Sequence, residues 1–282
     1  VPLSATIDSE EVSALVTLDW TDTNLLTNPT FRRGSGSDFT IRTNQAINPS
    51  LSVNSTYWSA NYGGGNTGAA SRFTGGPTVN GQVLNYYSAQ ITSTAGTTSQ
   101  NGVGVLIGSS TVDAVGVTNS TPQTFSFWLR TNVARPMSIQ LQYYDASNTV
   151  VGSYITGPTF TTEANVWARR SLVDTPPATS TRVLIRCYGM GSSPATTVGD
   201  TWEATGMLSE NVAFVGDYFD GGSPAAAGSG WTHQWSGTSG ASTSNERSQA
   251  ILSGTNIAGY AAGGVVSGKS FTDSEVQRFI YN

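Results

Sequence analysis

Thr124-Phe-Ser-Phe-Trp-Leu-Arg130 and, a few residues on, Met137-Ser-Ile-Gln-Leu-Gln-Tyr-Tyr144 carry the pattern that decides the fold. In the first, Phe125, Phe127 and Leu129 alternate with Ser126, Trp128 and Arg130; in the second, Ile139, Leu141 and Tyr143 alternate with Gln140, Gln142 and Tyr144. A period of two sends successive side chains to opposite faces, so each stretch reads as a strand with one apolar and one mixed face. The apolar sets are core. The mixed sets bring Trp128, Arg130, Gln140, Gln142 and Tyr144 onto a single outward face provided the two strands are neighbours, as consecutive strands often are.

Working outward, the segment from about Thr43 to Asn211 is a succession of short strands. Val83 to Ile91, Gly102 to Ile107, Val150 to Ile155, Val166 to Val173, Thr181 to Tyr188 and Asp200 to Leu208 join the two already named, with Gly, Pro, Asn and Ser clusters between them and no helical periodicity. That spacing predicts an all-β sandwich or jelly roll. The flanks read differently. Residues 3 to 8 and 12 to 20 form a candidate hairpin about Ser9-Glu10-Glu11, with Val12, Ala14, Val16 and Leu18 on one face. A lone hairpin is marginal in water, so it is expected to dock on another chain, on a second copy, or on the edge of its own main sheet. Residues 23–42 make a connector whose flexible part is Arg32-Arg33-Gly-Ser-Gly-Ser37, and 251–282 form a Gly/Ala-rich arm. The arm ends in the capping-box pattern Thr272-Asp-Ser-Glu275 before a short helix bearing Val276, Phe279 and Ile280.

Composition excludes several classes. Only 11% of the 282 residues are charged, the net charge is -5, and Lys269 is the one lysine among 13 basic residues, which leaves no basic stripe for phosphates. Nucleic acid is therefore not an expected partner. No apolar run approaches membrane length, and Val1 to Asp8 lacks the order of a signal peptide, which counts against a secreted enzyme. The single cysteine, Cys187, alternates onto an inward face with Val183 and Ile185 and reads as a small buried hydrophobe. The 32 glycines, with abundant Ser, Thr and Asn, suit tight turns and a neutral, hydroxyl-rich surface.

Two motifs carry a family resemblance. Asn24-Leu-Leu-Thr-Asn-Pro-Thr-Phe31 recurs as Asn44-Gln-Ala-Ile-Asn-Pro-Ser-Leu51, the second copy followed by Tyr57 and Trp58; later come Gly216-Asp-Tyr-Phe-Asp-Gly221 and Gly230-Trp-Thr-His-Gln-Trp-Ser-Gly237. Over roughly residues 43 to 246 this resembles the carbohydrate-binding-module-like jelly rolls of minor tail proteins of phages that infect actinobacteria. The resemblance selects a jelly-roll β-sandwich at 43–212, followed by a Tyr-Phe-Asp-Gly and Trp-rich segment at 213–250, with the hairpin arm at 1–22 and the capped helix as appendages. It implies a virion structural protein, assembled in the host cytoplasm without dependence on disulfides. The implied partners are other tail proteins, further copies of itself and host-envelope glycan. A secreted carbohydrate-binding module of a polysaccharide-acting protein, and a tail scaffold that binds no sugar, are the competing classes.

In such modules ligands lie across aromatic and amide side chains on a sheet. The resemblance therefore makes Trp128, Arg130, Gln140, Gln142 and Tyr144 the candidate glycan site, in competition with Trp128 simply packing beneath a loop. Aromatic faces pack on pyranose rings while guanidinium and amide groups pair with hydroxyls. Trp231 and Trp235 are secondary candidates, with burial in the C-terminal segment preferred, and Trp58, Trp167 and Trp202 are expected core anchors. Related jelly rolls often hold a structural calcium, for which Asp217 and Asp220 are weak candidate ligands and turn formation the preferred role; no other cofactor is expected. His233 is the only histidine, which excludes His-rich zinc sites. No catalytic residue emerges: the acids Asp200, Glu203, Glu210, Asp217 and Asp220 form no recognisable glycosidase pair, and there is no Gly-x-Ser-x-Gly elbow.

Overall fold

The computed structural model describes residues 39–94, 102–108, 115–224 and 231–248. The expected N-terminal hairpin, the Arg32–Ser37 connector and the C-terminal helix lie outside these residues. The chain divides into two compact units, one of residues 42–224 and 233–246 and one of residues 1–41, 225–232 and 247–282. The first holds the sandwich; the second falls almost wholly outside the described residues.

In chain order the strands are β1 (Phe39–Asn44), β2 (Trp58–Tyr62), β3 (Thr67–Phe73), β4 (Thr78–Val79), β5 (Gln82–Val83), β6 (Tyr86–Ser93), β7 (Val103–Ile107), β8 (Gln123–Thr131), β9 (Pro136–Tyr144), β10 (Val150–Thr156), β11 (Phe160–Thr161), β12 (Ala168–Asp174), β13 (Arg182–Gly189), β14 (Thr201–Glu210), β15 (Trp231–Trp235) and β16 (Ser244–Ser248). One sheet runs β10-β9-β13-β7-β2, with β11 also on β9; the other runs β12-β8-β14-β6-β3. The chain crosses between the two sheets from β2 to β3, β6 to β7, β7 to β8, β8 to β9, β11 to β12, β12 to β13 and β13 to β14. Pairing within each sheet is antiparallel. This is the winding of a jelly roll, and the protein is an all-β jelly-roll sandwich.

Inward alternation fills the space between the sheets. Phe125, Phe127 and Leu129 of β8 meet Ile139, Leu141 and Tyr143 of β9, with Trp58, Trp202, Val183, Ile185 and Cys187 in the same cluster. Cys187 is buried as its strand pattern requires, and that burial pushes its thiol pKa up, so it is no nucleophile. The Tyr143 hydroxyl reaches Asp174 at 2.7 Å at the rim of the core, satisfying the one polar atom this ring carries inward.

The Asn-Pro-Ser-Leu motif is a turn that locks the sandwich edge. Asn48 and Leu51 both take positive φ, a conformation that Asn adopts readily and Leu rarely. The surroundings hold it. The Asn48 carbonyl accepts the Trp58 indole N–H at 3.0 Å, Pro49 accepts from the Met207 backbone at 3.0 Å, and Arg72 donates to the carbonyls of Leu51 and Ser52. The buried Asn44 side chain donates to Met207 and Phe219 and accepts from Ala46 and Ser209. The spacing from Asn44 through Asn48 to Trp58 thus encodes one hydrogen-bonded corner.

Candidate functional site

β8 and β9 are not neighbours; they lie in different sheets and face each other across the core. The expected single face of Trp128, Arg130, Gln140, Gln142 and Tyr144 is therefore split, with Trp128 and Arg130 on one outer surface and Gln140, Gln142 and Tyr144 on the opposite one. The alternation was correctly read. The pairing rule failed because a jelly roll sends consecutive strands to opposite sheets.

On the surface formed by β10, β9, β13 and β7, cross-strand register sets Gln140 opposite Arg186, Gln142 opposite Leu184, Tyr144 opposite Arg182 and Ser138 opposite Tyr188. The Arg186 guanidinium lies 4.2 Å from the Tyr154 ring centroid and 5.8 Å from that of Tyr188. Tyr154 is 46% exposed. Gly104 on β7 pairs with Tyr188, and a Cβ there would stand 1.9 Å from the Cys187 carbonyl and 3.0 Å from the Tyr188 ring, so only glycine fits. Gln140 donates to Thr156 at 3.3 Å, Arg182 lies over Tyr144 at 5.5 Å and is held by Asn148, and Gln142 is buried with its Nε2 lacking a partner among the described residues. Burial raises the pKa values of Tyr144 and Tyr188, and the nearby Arg186 charge opposes it at both. The result is a hydroxyl, amide and aromatic surface with two guanidinium groups, Arg182 held by Asn148 and Arg186 beside Tyr154 and opposite Gln140 in the ladder. Tyr154, Arg186 and Tyr188 were not singled out from the sequence, although the alternation that turns Cys187 inward turns Arg186 and Tyr188 outward.

The opposite outer surface has two halves. In one, Arg130 sits 5.3 Å from the Tyr86 ring and 4.7 Å from the Trp167 ring, Tyr86 stacks on Phe73 at 5.5 Å, and Arg130 is bonded to Glu203 directly across on β14. Trp167 is thus no core anchor, unlike Trp58 and Trp202; it flanks Arg130 on the outside. In the other half the Tyr-Phe-Asp-Gly segment covers the sheet. Tyr218 and Phe219 are buried against Leu84 and Leu208, and Trp128 packs on this cluster with its ring edge-on to Tyr218 at 5.4 Å. Gly206, in a β-bulge at φ +64, makes room: a Cβ there would stand 2.7 Å from Trp128. Trp128 is therefore an anchor for this cover, and Arg169 lies 4.9 Å from its ring.

Asp220 organises the cover. Its carboxylate accepts from the Tyr218 hydroxyl at 3.1 Å, the Gly222 amide at 2.8 Å and the Ser223 hydroxyl at 3.2 Å. Burial first, then the Asp220 charge, raise the Tyr218 pKa well above its ordinary value, so its O–H remains a donor. An oxygen pair with three donors aimed at it is a turn, not a cation cage, so Asp220 takes the turn role, and the Asp217 carbonyl accepts from Arg42 at 2.8 Å. Among the described residues no cluster of three His, Cys, Asp or Glu side chains exists. Phe219 stacks on His233 at 5.3 Å, and Arg42 forks onto Glu210 through two 2.7 Å bonds. His233 also contacts Glu246 at 3.1 Å. Trp235 is half-buried against Gly221, where a Cβ would come within 2.4 Å of it; the side chain of Trp231 lies outside the described residues.

No protein-family model matches this chain, and no curated protein does. Among solved structures it is similar to the enzymatically active domain of bacteriophage CBA120 tailspike protein 4, at 13% identity and TM-score 0.44 over 60% of this chain and 21% of that one. It is also similar to the CBM22-1 xylan-binding domain of Paenibacillus barcinonensis Xyn10C, at 9% identity and TM-score 0.41 over 64% of this chain and 100% of that one. A third is the Clostridium thermocellum xylanase 10B CBM22-1-GH10 pair complexed with xylohexaose, at 9% identity and TM-score 0.42, covering 62% of this chain and 29% of that one. The chain thus spans about a fifth of the tailspike domain it matches.

Proposed function

We propose that this chain binds glycan through the outer surface of β10, β9, β13 and β7, and that it does so as a minor tail component of a phage particle. The observation that carries the first half is the exposed Tyr154 ring beside the half-buried Arg186 and Gln140, with the buried Tyr188 behind them. An exposed ring supplies a platform for a pyranose face with little entropy to lose, while the guanidinium and amide supply directional partners for its oxygens. The tail assignment is supported by the resemblance of the Asn-Pro-Ser-Leu and Tyr-Phe-Asp-Gly segments to those of tail proteins.

The acids argue for binding without turnover. Glu203 is committed to Arg130, Asp200 to Arg135, Glu210 to Arg42 and Asp220 to its own turn. None of these four faces another across an open cleft as a glycosidase pair must. A single shallow site of this kind binds a monosaccharide at about millimolar Kd, or about -4 kcal/mol, so display in several copies supplies the avidity.

The test is a glycan array probed with the full chain and with Tyr154→Ala. Selective glycan binding by the parent and its loss in the folded variant is the expected result; an array blank for the parent defeats the glycan reading. Antibody labelling of a tag on Asn282 in purified particles tests the tail assignment separately. Absence from particles, with glycan binding retained, moves the chain to the class of modules attached to polysaccharide-acting proteins.

A further inference from the structure

We infer that the glycan taken by this surface is acidic, a uronic acid whose ring rests on Tyr154 while its carboxylate is held by Arg186; this rests on the glycan-binding reading of the same surface. The argument is one of charge complementarity. Arg186 lies 4.2 Å from the Tyr154 ring centroid and 5.8 Å from that of Tyr188, and its buried Nε has no hydrogen-bond partner among the described residues. Its cross-strand neighbours are Gln140 on β9 and Leu106 on β7, so neither flanking strand offers it a carboxylate. No position of β7, β9, β10 or β13 is Asp or Glu, in a chain whose 18 acids outnumber its 13 bases.

A guanidinium carries five N–H donors and no acceptor, and the ring faces that hold it by cation–π attraction leave those donors unpaired. A carboxylate meets them in a charge-assisted, two-pronged pair. In a uronic acid that carboxylate is fixed directly on the pyranose ring, which keeps it beside the guanidinium when the sugar lies on the adjacent, 46% exposed Tyr154. A neutral sugar in the same place displaces water from the charge and returns hydrogen bonds in which only the guanidinium is ionised, without the opposite charge and two-pronged fit of a carboxylate.

The experiment titrates the full chain with trigalacturonic acid and with the same trimer after its carboxyl groups are reduced to hydroxymethyls. The parent should prefer the acidic trimer by roughly tenfold or more, the scale of one charge-assisted pair. Arg186→Gln should bind both trimers alike, and Arg130→Gln, on the other surface, should keep the parent's preference. Gln140→Glu sets an acid opposite Arg186 and should erase the preference with the arginine still present. Equal binding of the two trimers by the parent, or a preference that survives in folded Arg186→Gln or Gln140→Glu, overturns the acidic assignment while leaving glycan binding to the array. Loss of the preference in Arg130→Gln alone overturns it by placing the site on the opposite sheet. Failure of the parent to bind the acidic trimer, with other glycans bound on the array, overturns the acidic assignment and spares the broader reading.

Discussion

Arg130 and Arg186 are near counterparts on opposite outer surfaces of one sandwich. Each projects outward from a central strand and lies near two aromatic rings, Tyr86 and Trp167 for the first, Tyr154 and Tyr188 for the second. The difference is the residue directly across the ladder: Glu203 opposite Arg130, Gln140 opposite Arg186. An amide in place of a carboxylate leaves the second guanidinium without an internal counter-ion. The comparison teaches that aromatic and arginine content alone does not identify a binding surface; whether the charge is already answered within the fold does.

The largest expected effect breaks the comparison on the covered half of the Arg130 surface. Trp128 supports the Tyr218 and Phe219 cover, so Trp128→Ala should cost about 2–4 kcal/mol, below the full range for a deeply buried Trp because this ring is only half-buried. For a domain of this size that corresponds to a melting temperature lower by roughly 5–15 °C. Thermal denaturation checks it, and glycan binding by the folded fraction should be unchanged. A variant that melts like the parent but loses glycan binding would return Trp128 to the ligand site.

Glu203→Gln comes next and converts the Arg130 surface toward the state of its counterpart. Glu203 is 8% exposed and its partner about a quarter exposed, so the lost ion pair should cost about 1–2 kcal/mol, less than for a fully buried pair. Denaturant unfolding gives the number. If the missing carboxylate is what opens Arg186 to acidic ligands, this variant should also acquire a second, weaker site for trigalacturonic acid, visible as a change in stoichiometry.

Much of this arrangement was legible in the sequence because strand alternation is local. Phe125, Ile139 and Cys187 face inward as their neighbours require, and eight expected strands correspond to observed ones with ends shifted by a few residues. β3 escaped notice because Gly, Ala and Ser fill most of it and leave no apolar alternation to read, and β2 because its alternation of Trp58, Ala60 and Tyr62 is only five residues long. The site was half legible. Which side chains point outward follows from period two, but which strands pair depends on non-local winding, and that placed Trp128 and Gln140 on opposite surfaces. Trp167 shows the same limit: a large aromatic at a strand entry carries no local mark of whether it turns in or out.

Gln140→Glu sharpens the comparison from the other side and should have a small stability effect. A carboxylate opposite Arg186 forms the cross-strand pair that Glu203 forms with Arg130, but at a half-exposed position, and opposite-charge pairs of that kind contribute about 0.2–1 kcal/mol. The variant should therefore be slightly more stable in low salt, the gain shrinking as salt is added. A destabilised variant would mean that the native amide holds this ladder in a way the carboxylate cannot.

The smallest effect is spectroscopic and reports the neighbourhood of Arg186 directly. Burial raises the pKa values of Tyr144 and Tyr188 above the ordinary phenol value, and the Arg186 charge lowers both, so removing that charge in Arg186→Gln should move their ionisation further up the alkaline range. Because the folded values lie above the unfolded ones, the neutral phenols stabilise the fold fully below about pH 10, and that contribution is lost as pH rises through the folded values. In Arg186→Gln the folded values sit higher still, so the loss should continue to a higher pH than in the parent. Absorbance titration near 295 nm, at salt high enough to suppress distant charges, separates the two arginines. Arg130→Gln should leave Tyr144 and Tyr188 in place, since its guanidinium lies beyond the core on the other sheet, and equal shifts in both variants would mean that net charge, not the contact with Arg186, governs these rings.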